Sequence, residues 1–446
     1  MTATLTDPLK RQILDRVLYS IGSDSDTYYI AIGRSEQWND SDVATAPENH
    51  EHDERNFRLS MQSVKSAEDA SYVVPRNNWT AGSVYSAYDD KVIGHPTQPY
   101  FVITDEQNVY LCIQRGLNTD GTTKQSSVKP TGTSTSLLST GDGYVWKYMY
   151  SVPTASAQKF LSSNYMPVQQ VDSDLAVANP ITDGVQWTVQ NAAVGGEITQ
   201  IKVVNGGSGY TSAPTVTIDG DGSSAAATAF VSGGQVTKLE MSNRGSGYQF
   251  ASISFTGGSG SGASARAVIA ANKQGLGDNP IIDFRAKAVM LNSKPDGIEN
   301  GDFILNDYRQ IAILKNPTTY ANDSDFYTGT SGLALKTIRL TLTGDASTFA
   351  NDDIITGGTS GSSAVLDWVD SDTLYYHQTD TTGYGSFISD ITGAITSDNG
   401  GAGTVRSVID SSDVNPFSGE ILYLENRAAI TRSLVQTEDL KVIIQL

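Results

Sequence analysis

Residues 198–229 realign with residues 236–267 at a constant offset of 38 residues, without a gap. Asn205-Gly206-Gly207-Ser208-Gly209-Tyr210 matches Asn243-Arg244-Gly245-Ser246-Gly247-Tyr248, and the alternating Thr215-Val216-Thr217-Ile218 matches Ile253-Ser254-Phe255-Thr256. A short run of small residues closes each copy, at 224–229 and 262–267. A repeat of this length is one supersecondary unit, and a unit that alternates with period two between glycine turns is built of strands. Two copies fall short of the three or so that a solenoid needs, so they are expected to pack on each other or on a larger body as a small β-domain.

The rest of the chain agrees with a β-rich fold. Forty-two glycines punctuate 446 residues, and only 18% of the residues are charged, against an ordinary fraction of about 25%. The 21 Tyr, 12 Phe and 5 Trp are more aromatics than disordered chains carry. The net charge of −19 and the lack of a basic run disfavour nucleic-acid binding, because an acidic surface repels phosphates. The single cysteine, Cys112, admits neither an internal disulfide nor a thiolate metal site. It lies in the apolar run Val109-Tyr110-Leu111-Cys112-Ile113 and reads as a core residue. No run approaches the roughly 18 apolar residues of a membrane span, and no apolar stretch follows basic residues near Met1. The reading is a chain made in a cytoplasm, without membrane insertion.

An N-terminal helix is expected over 6–20, capped by Thr6 or Asp7, with Pro8 in its first turn and Leu9, Ile13, Val17 and Leu18 on one face. Strands are expected at 28–32, 71–74, 100–103, 109–113, 144–152, 309–314, 421–424 and 440–445, and a long polar loop over 118–140. Composition turns to Gly, Ser, Ala, Val and Thr near residue 185 and stays so to about 273. A second glycine-punctuated stretch covers 336–412, with strands at 338–342 and 373–376. The expected organisation is a mainly β, multi-domain chain: a β-sandwich-like body with an N-terminal helix, interrupted by two small β-modules. Body residues 1–184, 274–335 and 413–446 then flank a repeat module at 185–273 and a second module at 336–412.

Motifs for chemistry are sparse. Of four histidines only His50-Glu51-His52 are close together, and their polar surroundings read as a solvated loop. There is no His-Glu-x-x-His and no Gly-x-Ser-x-Gly. Asp219-Gly220-Asp221-Gly222 has the outline of a calcium loop, but loop position twelve is Phe230 rather than an acid. The glycine runs lack the Gly-Lys-Ser/Thr of a phosphate cradle. Tyr210, Tyr248 and Tyr384 are candidates for stacking on sugars, with packing beside glycine turns as the plainer reading. No cofactor or metal is expected.

Motifs elsewhere resemble a known family. Tyr19-Ser20-Ile21-Gly22-Ser23 with Ile32-Gly33-Arg34-Ser35-Glu36-Gln37-Trp38, and Val74-Pro75-Arg76 with Trp79, are similar to the baseplate wedge subunit of contractile-tailed, T-even-like phages, the gene-eight product family. The most specific match is Gly141-Asp142-Gly143-Tyr144-Val145-Trp146-Lys147-Tyr148, ending at Val152-Pro153. Arg309-Gln310-Ile311 with Asn316-Pro317 follows in order. Gly419-Glu420-Ile421-Leu422-Tyr423-Leu424-Glu425-Asn426-Arg427 and Gln436-Thr437-Glu438 complete a collinear series from residue 19 onward. The chain departs from the family where Ala428-Ala429 replaces a Pro-Pro pair, in the 118–140 loop, and in carrying the two modules.

The resemblance implies a non-enzymatic structural protein of the virion tail baseplate, a homodimer that joins other baseplate wedge proteins around the tail hub. Arg34, Trp38, Arg76, Trp79, Trp146 and Arg427 are the interface candidates, since arginine forks and tryptophans anchor interfaces. The same residues are equally suited to bracing loops within one subunit. Two other functions are open: a host-surface carbohydrate binder making weak glycan contacts through the modules, and a tail-associated glycan hydrolase.

Overall fold

A computed structural model describes residues 4–22, 25–67, 69–270, 272, 274–295, 302–341, 345–432 and 438–446. The protein is mainly β, with 42% strand and 13% helix. Its contacts divide it into two units: residues 1–14, 71–290 and 443–446 form the first, residues 15–70 and 291–442 the second. The stretch read from sequence as one N-terminal body segment, 1–184, therefore contributes to both. Contact partners hundreds of residues apart decide this division, and a linear reading of composition does not register them. No helix among the described residues is long and apolar enough to cross a membrane.

In the first unit, Phe101–Ile103, Asn108–Gln114, Val145–Ser151 and Leu138–Ser139 form an antiparallel sheet in the order 101–103, 108–114, 145–151, 138–139. One face carries a dense aromatic core of Tyr85, Tyr110, Tyr144, Trp146 and Tyr148 around Cys112 and Val102. Helix Asp183–Asn191 sends Val189 into that same core. The compositional change near residue 185 thus falls inside a helix of the body, and the repeat strands begin only at Ile198.

The two repeats interlock. The first strand of copy one, Ile198–Ser208, pairs with the last strand of copy two, Ser261–Ile269. The last strand of copy one, Ser223–Ser232, pairs with the first of copy two, Gln235–Ser246. The middle strands, Thr215–Gly220 and Ala251–Thr256, pair with each other. The glycines make this exchange sterically feasible. A β-carbon on Gly260 would lie 2.4 Å from the Tyr210 ring, and one on Gly222 would lie 2.4 Å from the Tyr248 ring. Each copy's tyrosine is therefore buried against the other copy's glycine turn.

At Gly207 and Gly245 the backbone is left-handed (φ +66° and +65°), and an added β-carbon would meet a carbonyl oxygen at 2.3 Å in both places. Gly233, at φ +60°, has open space around it. Gly233→Ala is expected to cost only the backbone penalty of about 1–2 kcal/mol. Gly207→Ala and Gly245→Ala should cost clearly more, because the facing strands must also separate. Hydrogen exchange of residues 198–269 in the three variants checks the ranking, and equal protection in all three would contradict it.

In the second unit a five-stranded sheet runs in the order Ser331–Leu333, Met61–Ser66, Tyr28–Gly33, Tyr308–Lys315, Glu420–Ile430. Tyr28–Gly33 is buried along its whole length, as a central strand with both faces covered must be. The stretch 336–412 is a closed six-stranded barrel spanning Lys336–Ile409, filled by Ile338, Leu340, Leu366, Tyr376, Phe387 and Ile395. Closure removes exposed strand edges, which suits a module with short strands and glycine turns.

Two expectations change. His50-Glu51-His52, read as loop, opens helix Glu51–Leu59, with His50 as its N-cap: the imidazole Nδ1 accepts from Asp53 N at 3.2 Å. The N-terminal helix spans Asp7–Ile21, but Leu9 and Ile13, on the face read as core, are 42% and 44% exposed, and Leu14 is its buried residue.

Candidate interaction site

Strand Tyr28–Gly33 ends where Gly33 passes so close to Ser60 that a β-carbon would meet the Ser60 carbonyl at 2.8 Å. The chain then turns at Arg34, whose φ of +63° is left-handed. This turn presents Arg34, Ser35, Glu36 and Trp38 in different directions. The Arg34 guanidinium stacks 4.1 Å from the Trp38 ring centre and donates to the Gln37 carbonyl at 3.2 Å. The Trp38 indole N–H donates to the Arg427 carbonyl at 2.9 Å. Asn426, beside it, donates to the Thr45 carbonyl at 2.9 Å. Strand Glu420–Ile430 is an edge strand of its sheet, so the loop 34–45 covers part of an edge that would otherwise present bare backbone groups. Three of the sequence-predicted residues, Arg34, Trp38 and Arg427, are thus brought together. Asp42 ties the loop down, accepting from Trp38 N at 3.1 Å and from Arg309 Nε at 2.8 Å. Arg309 also donates to the Ser35 carbonyl.

Ser35 and Glu36 turn toward the barrel. Asp367 occupies a β-bulge between Leu366 and Trp368 in the hairpin of Ser363–Asp370 with Thr373–His377, and bulges re-aim side chains. Its carboxylate is fully buried. Oδ1 accepts from Ser35 Oγ at 3.0 Å and from Gln62 Nε2 at 3.1 Å, and Oδ2 accepts from His377 Nδ1 at 2.6 Å. His377 Nε2 reaches Glu36 Oε1 at 3.1 Å. Burial opposes charge on this imidazole, but the two carboxylates outweigh it and push its pKa up to about 10. The Glu36 carboxyl, although half-buried, is held down to about 2 by His377. His377 is therefore an imidazolium donating from both nitrogens. Ser35 donates to Asp367 and not to the imidazole, so the three form a bridge between barrel and sheet, with no hydroxyl poised on a base.

This bridge escaped the sequence reading. Asp367 and His377 lie on neighbouring strands of a hairpin that turns at Ser371, so hairpin spacing alone could have paired them. Nothing local signals that Glu36 and Gln62 close the cluster.

Arg76 and Trp79 lie elsewhere, in the first unit. Arg76 donates to Asn78 Oδ1 and to the Ser162 carbonyl, both at 2.9 Å, and Trp79 Nε1 donates to Ser126 Oγ at 3.1 Å. With Ile103, Thr104, Asp105 and Lys129 they line an open cavity of about 490 Å³. Trp146 is not a surface residue. It is fully buried, stacked on Tyr144 at 5.7 Å and edge-on to Tyr85 at 5.5 Å. The aromatic motif that carries the resemblance there is core packing.

Among the described residues, acidic side chains at the glycine turns are engaged in bracing the turns themselves. Asp221 Oδ1 accepts from Gln249 N at 2.9 Å and Phe250 N at 3.2 Å, bracing a turn. No group of three or more His, Cys, Asp or Glu side chains among the described residues is arranged around a metal position. Tyr210 and Tyr248 are buried, while Tyr384 is exposed and donates to Asp380. No family model and no curated protein matches the sequence.

Proposed function

We propose that the chain is a structural subunit of a contractile phage tail baseplate wedge, acting as a homodimer that binds other wedge proteins. The observation that supports this reading is the convergence of four of the resembling segments, those at 74–79 and 141–153 belonging to the first unit. Residues 32–38, 309–311, 316–317 and 419–427 are far apart in sequence yet meet on one sheet. Ile32 pairs with Ile311, Gln310 with Asn426, and Ile311 with Glu425, while Trp38 closes onto Arg427. Gln436 and Thr437 of the last matching segment lie outside the described residues.

The glycan-binding alternative draws less support, since two of its three candidate tyrosines are buried packing residues. Sedimentation equilibrium of the purified protein should give a dimer at micromolar concentration, and the protein should co-purify with wedge partners from phage-infected cells. A monomer that is absent from virions, or a protein with saturable glycan affinity and no wedge partners, would overturn the proposal.

A further inference from the structure

The open cavity beside Trp79, in the first unit, is walled by side chains whose positions are fixed but whose binding capacity is not used up. Trp79 packs on one side against the aromatic core of its sheet and on the other lines this cavity of about 490 Å³. Its backbone N–H donates to the Ile103 carbonyl at 2.9 Å. Its indole N–H is taken by Ser126 Oγ at 3.1 Å, and Ser126 is fully buried and donates in turn to Asp142 Oδ2 at 3.2 Å. The ring is therefore held in place, and what it offers a ligand is its π-face. Arg76 is held in the same way. Its Nε donates to Asn78 Oδ1 and its Nη1 to the Ser162 carbonyl, both at 2.9 Å, which leaves Nη2 without a protein partner. Lys129 is bound by Asp105 Oδ1 at 2.7 Å and by Glu106. Its charge is matched, whereas among the described residues Arg76 makes no ion pair. Asn78 and Asp105, both exposed at the cavity, add an amide and a carboxylate.

We propose that this cavity binds a carboxylate-bearing pyranose, a uronic-acid residue of an acidic glycan. A pyranose has an apolar C–H face and a rim of hydroxyls, which matches an aromatic wall ringed by a few polar groups. The sugar ring lies on Trp79, its hydroxyls reach Asn78 Nδ2 and the Asp105 carboxylate, and its own carboxylate meets Arg76 Nη2. That last contact is a charge-assisted hydrogen bond, roughly twice as strong as a neutral one, and it supplies the counter-ion that Arg76 lacks. An acidic peptide side chain could meet Arg76 but would leave the Trp79 face and the hydroxyl partners unused. The net charge of −19 opposes this only weakly, because charges more than about 8 Å away are screened at physiological salt. The site belongs to the body, apart from both inserted modules, and it does not rest on the wedge reading. A single sugar in so open a cavity should bind with a Kd on the order of 1 mM.

Saturation-transfer NMR on the full chain tests this, with methyl β-D-glucuronide and methyl β-D-glucoside as probes. The glucuronide should bind saturably and about tenfold more tightly than the glucoside, the difference one hydrogen bond to a charged group makes. Arg76→Gln should bring the glucuronide down to the affinity of the glucoside and leave the glucoside unchanged. Trp79→Ala should abolish binding of both. Trp79→Phe keeps a ring against the core and should retain both, so the test stands even if Trp79→Ala does not fold. Exchange protection of Asn108–Gln114 reports folding in each variant. Absence of saturation well above millimolar concentration overturns the proposal. So does equal affinity of the wild type for the two sugars, or a preference for the glucuronide that survives Arg76→Gln. A short glutamate peptide that displaces the glucuronide at lower concentration would make a partner's side chain the occupant and overturn the sugar assignment.

Discussion

Asp367→Ala is expected to destabilise the second unit by about 3–5 kcal/mol, the cost of removing one partner from a buried ion pair. The substitution leaves the His377 imidazolium facing Glu36 alone, and it orphans Ser35 Oγ and the Gln62 amide, both held by Asp367. Asp367→Asn keeps the shape and one acceptor, and should cost less. The pH dependence has a definite direction. The folded-state pKa of His377 stands near 10, above the unfolded value of about 6.5. Its contribution is complete below about pH 6.5 and is lost as the pH rises through about 10. Wild-type protein should therefore lose barrel seating on alkaline titration. His377→Gln should already be weakened at neutral pH and lack that alkaline step. Hydrogen exchange of Met61–Ser66 and of the barrel strands, followed from pH 7 to 10.5, measures both effects. Unchanged protection in Asp367→Ala would show that the cluster contributes nothing to the seam.

Trp146→Ala is expected to cost a further-reaching 3–5 kcal/mol or so in the first unit, the usual price of deleting a large buried aromatic. Trp146 touches Tyr85 and Tyr144 within a cluster of buried aromatic rings on its sheet, and rigid rings close poorly over a void. Stability of an ordinary domain is only about 5–15 kcal/mol, and the variant should be poorly soluble near body temperature. Trp146→Phe should be much milder, because it also removes an indole N–H that has no partner in the core. Exchange protection of Asn108–Gln114 and Val145–Ser151 reports the loss. The mass of the proposed dimer, measured well below the unfolding temperature, should be unaffected in Trp146→Phe. A dissociated but fully protected Trp146→Phe would return Trp146 to the interface role that its burial argues against.

Local rules carried far in this chain. Alternation and glycine punctuation located the strands now seen at Asn108–Gln114, Val145–Ser151, Tyr308–Lys315 and Leu440–Gln445 to within a residue or two. The 38-residue repeat announced a small β-module, though not the interlocked pairing of its strands. These features are legible because side-chain period and positive φ are properties of neighbours along the chain. The helix Glu51–Leu59 was not legible: its nine residues are nearly all polar, and Phe57 alone is buried, too little periodicity to distinguish it from loop. Of the interface candidates, Arg34, Trp38 and Arg427 came together because strand pairing sets Gln310 opposite both Gly33 and Asn426, and Trp38 then reaches across to the Arg427 carbonyl. Trp146 could not be sorted from them, since a tryptophan in an aromatic motif serves a core and an interface equally well.

The sequence by itself determined the fold class, the repeat with its glycine turns, and the acidic net charge of −19. Tertiary structure alone decided the two-unit division, the swapped pairing of the repeats, the barrel closure, and the meeting of Glu36, Asp367 and His377. The physical reason is that burial and electrostatic coupling depend on distance through space. A carboxylate on a bulge becomes a buried anchor only when segments hundreds of residues apart close over it and exclude water.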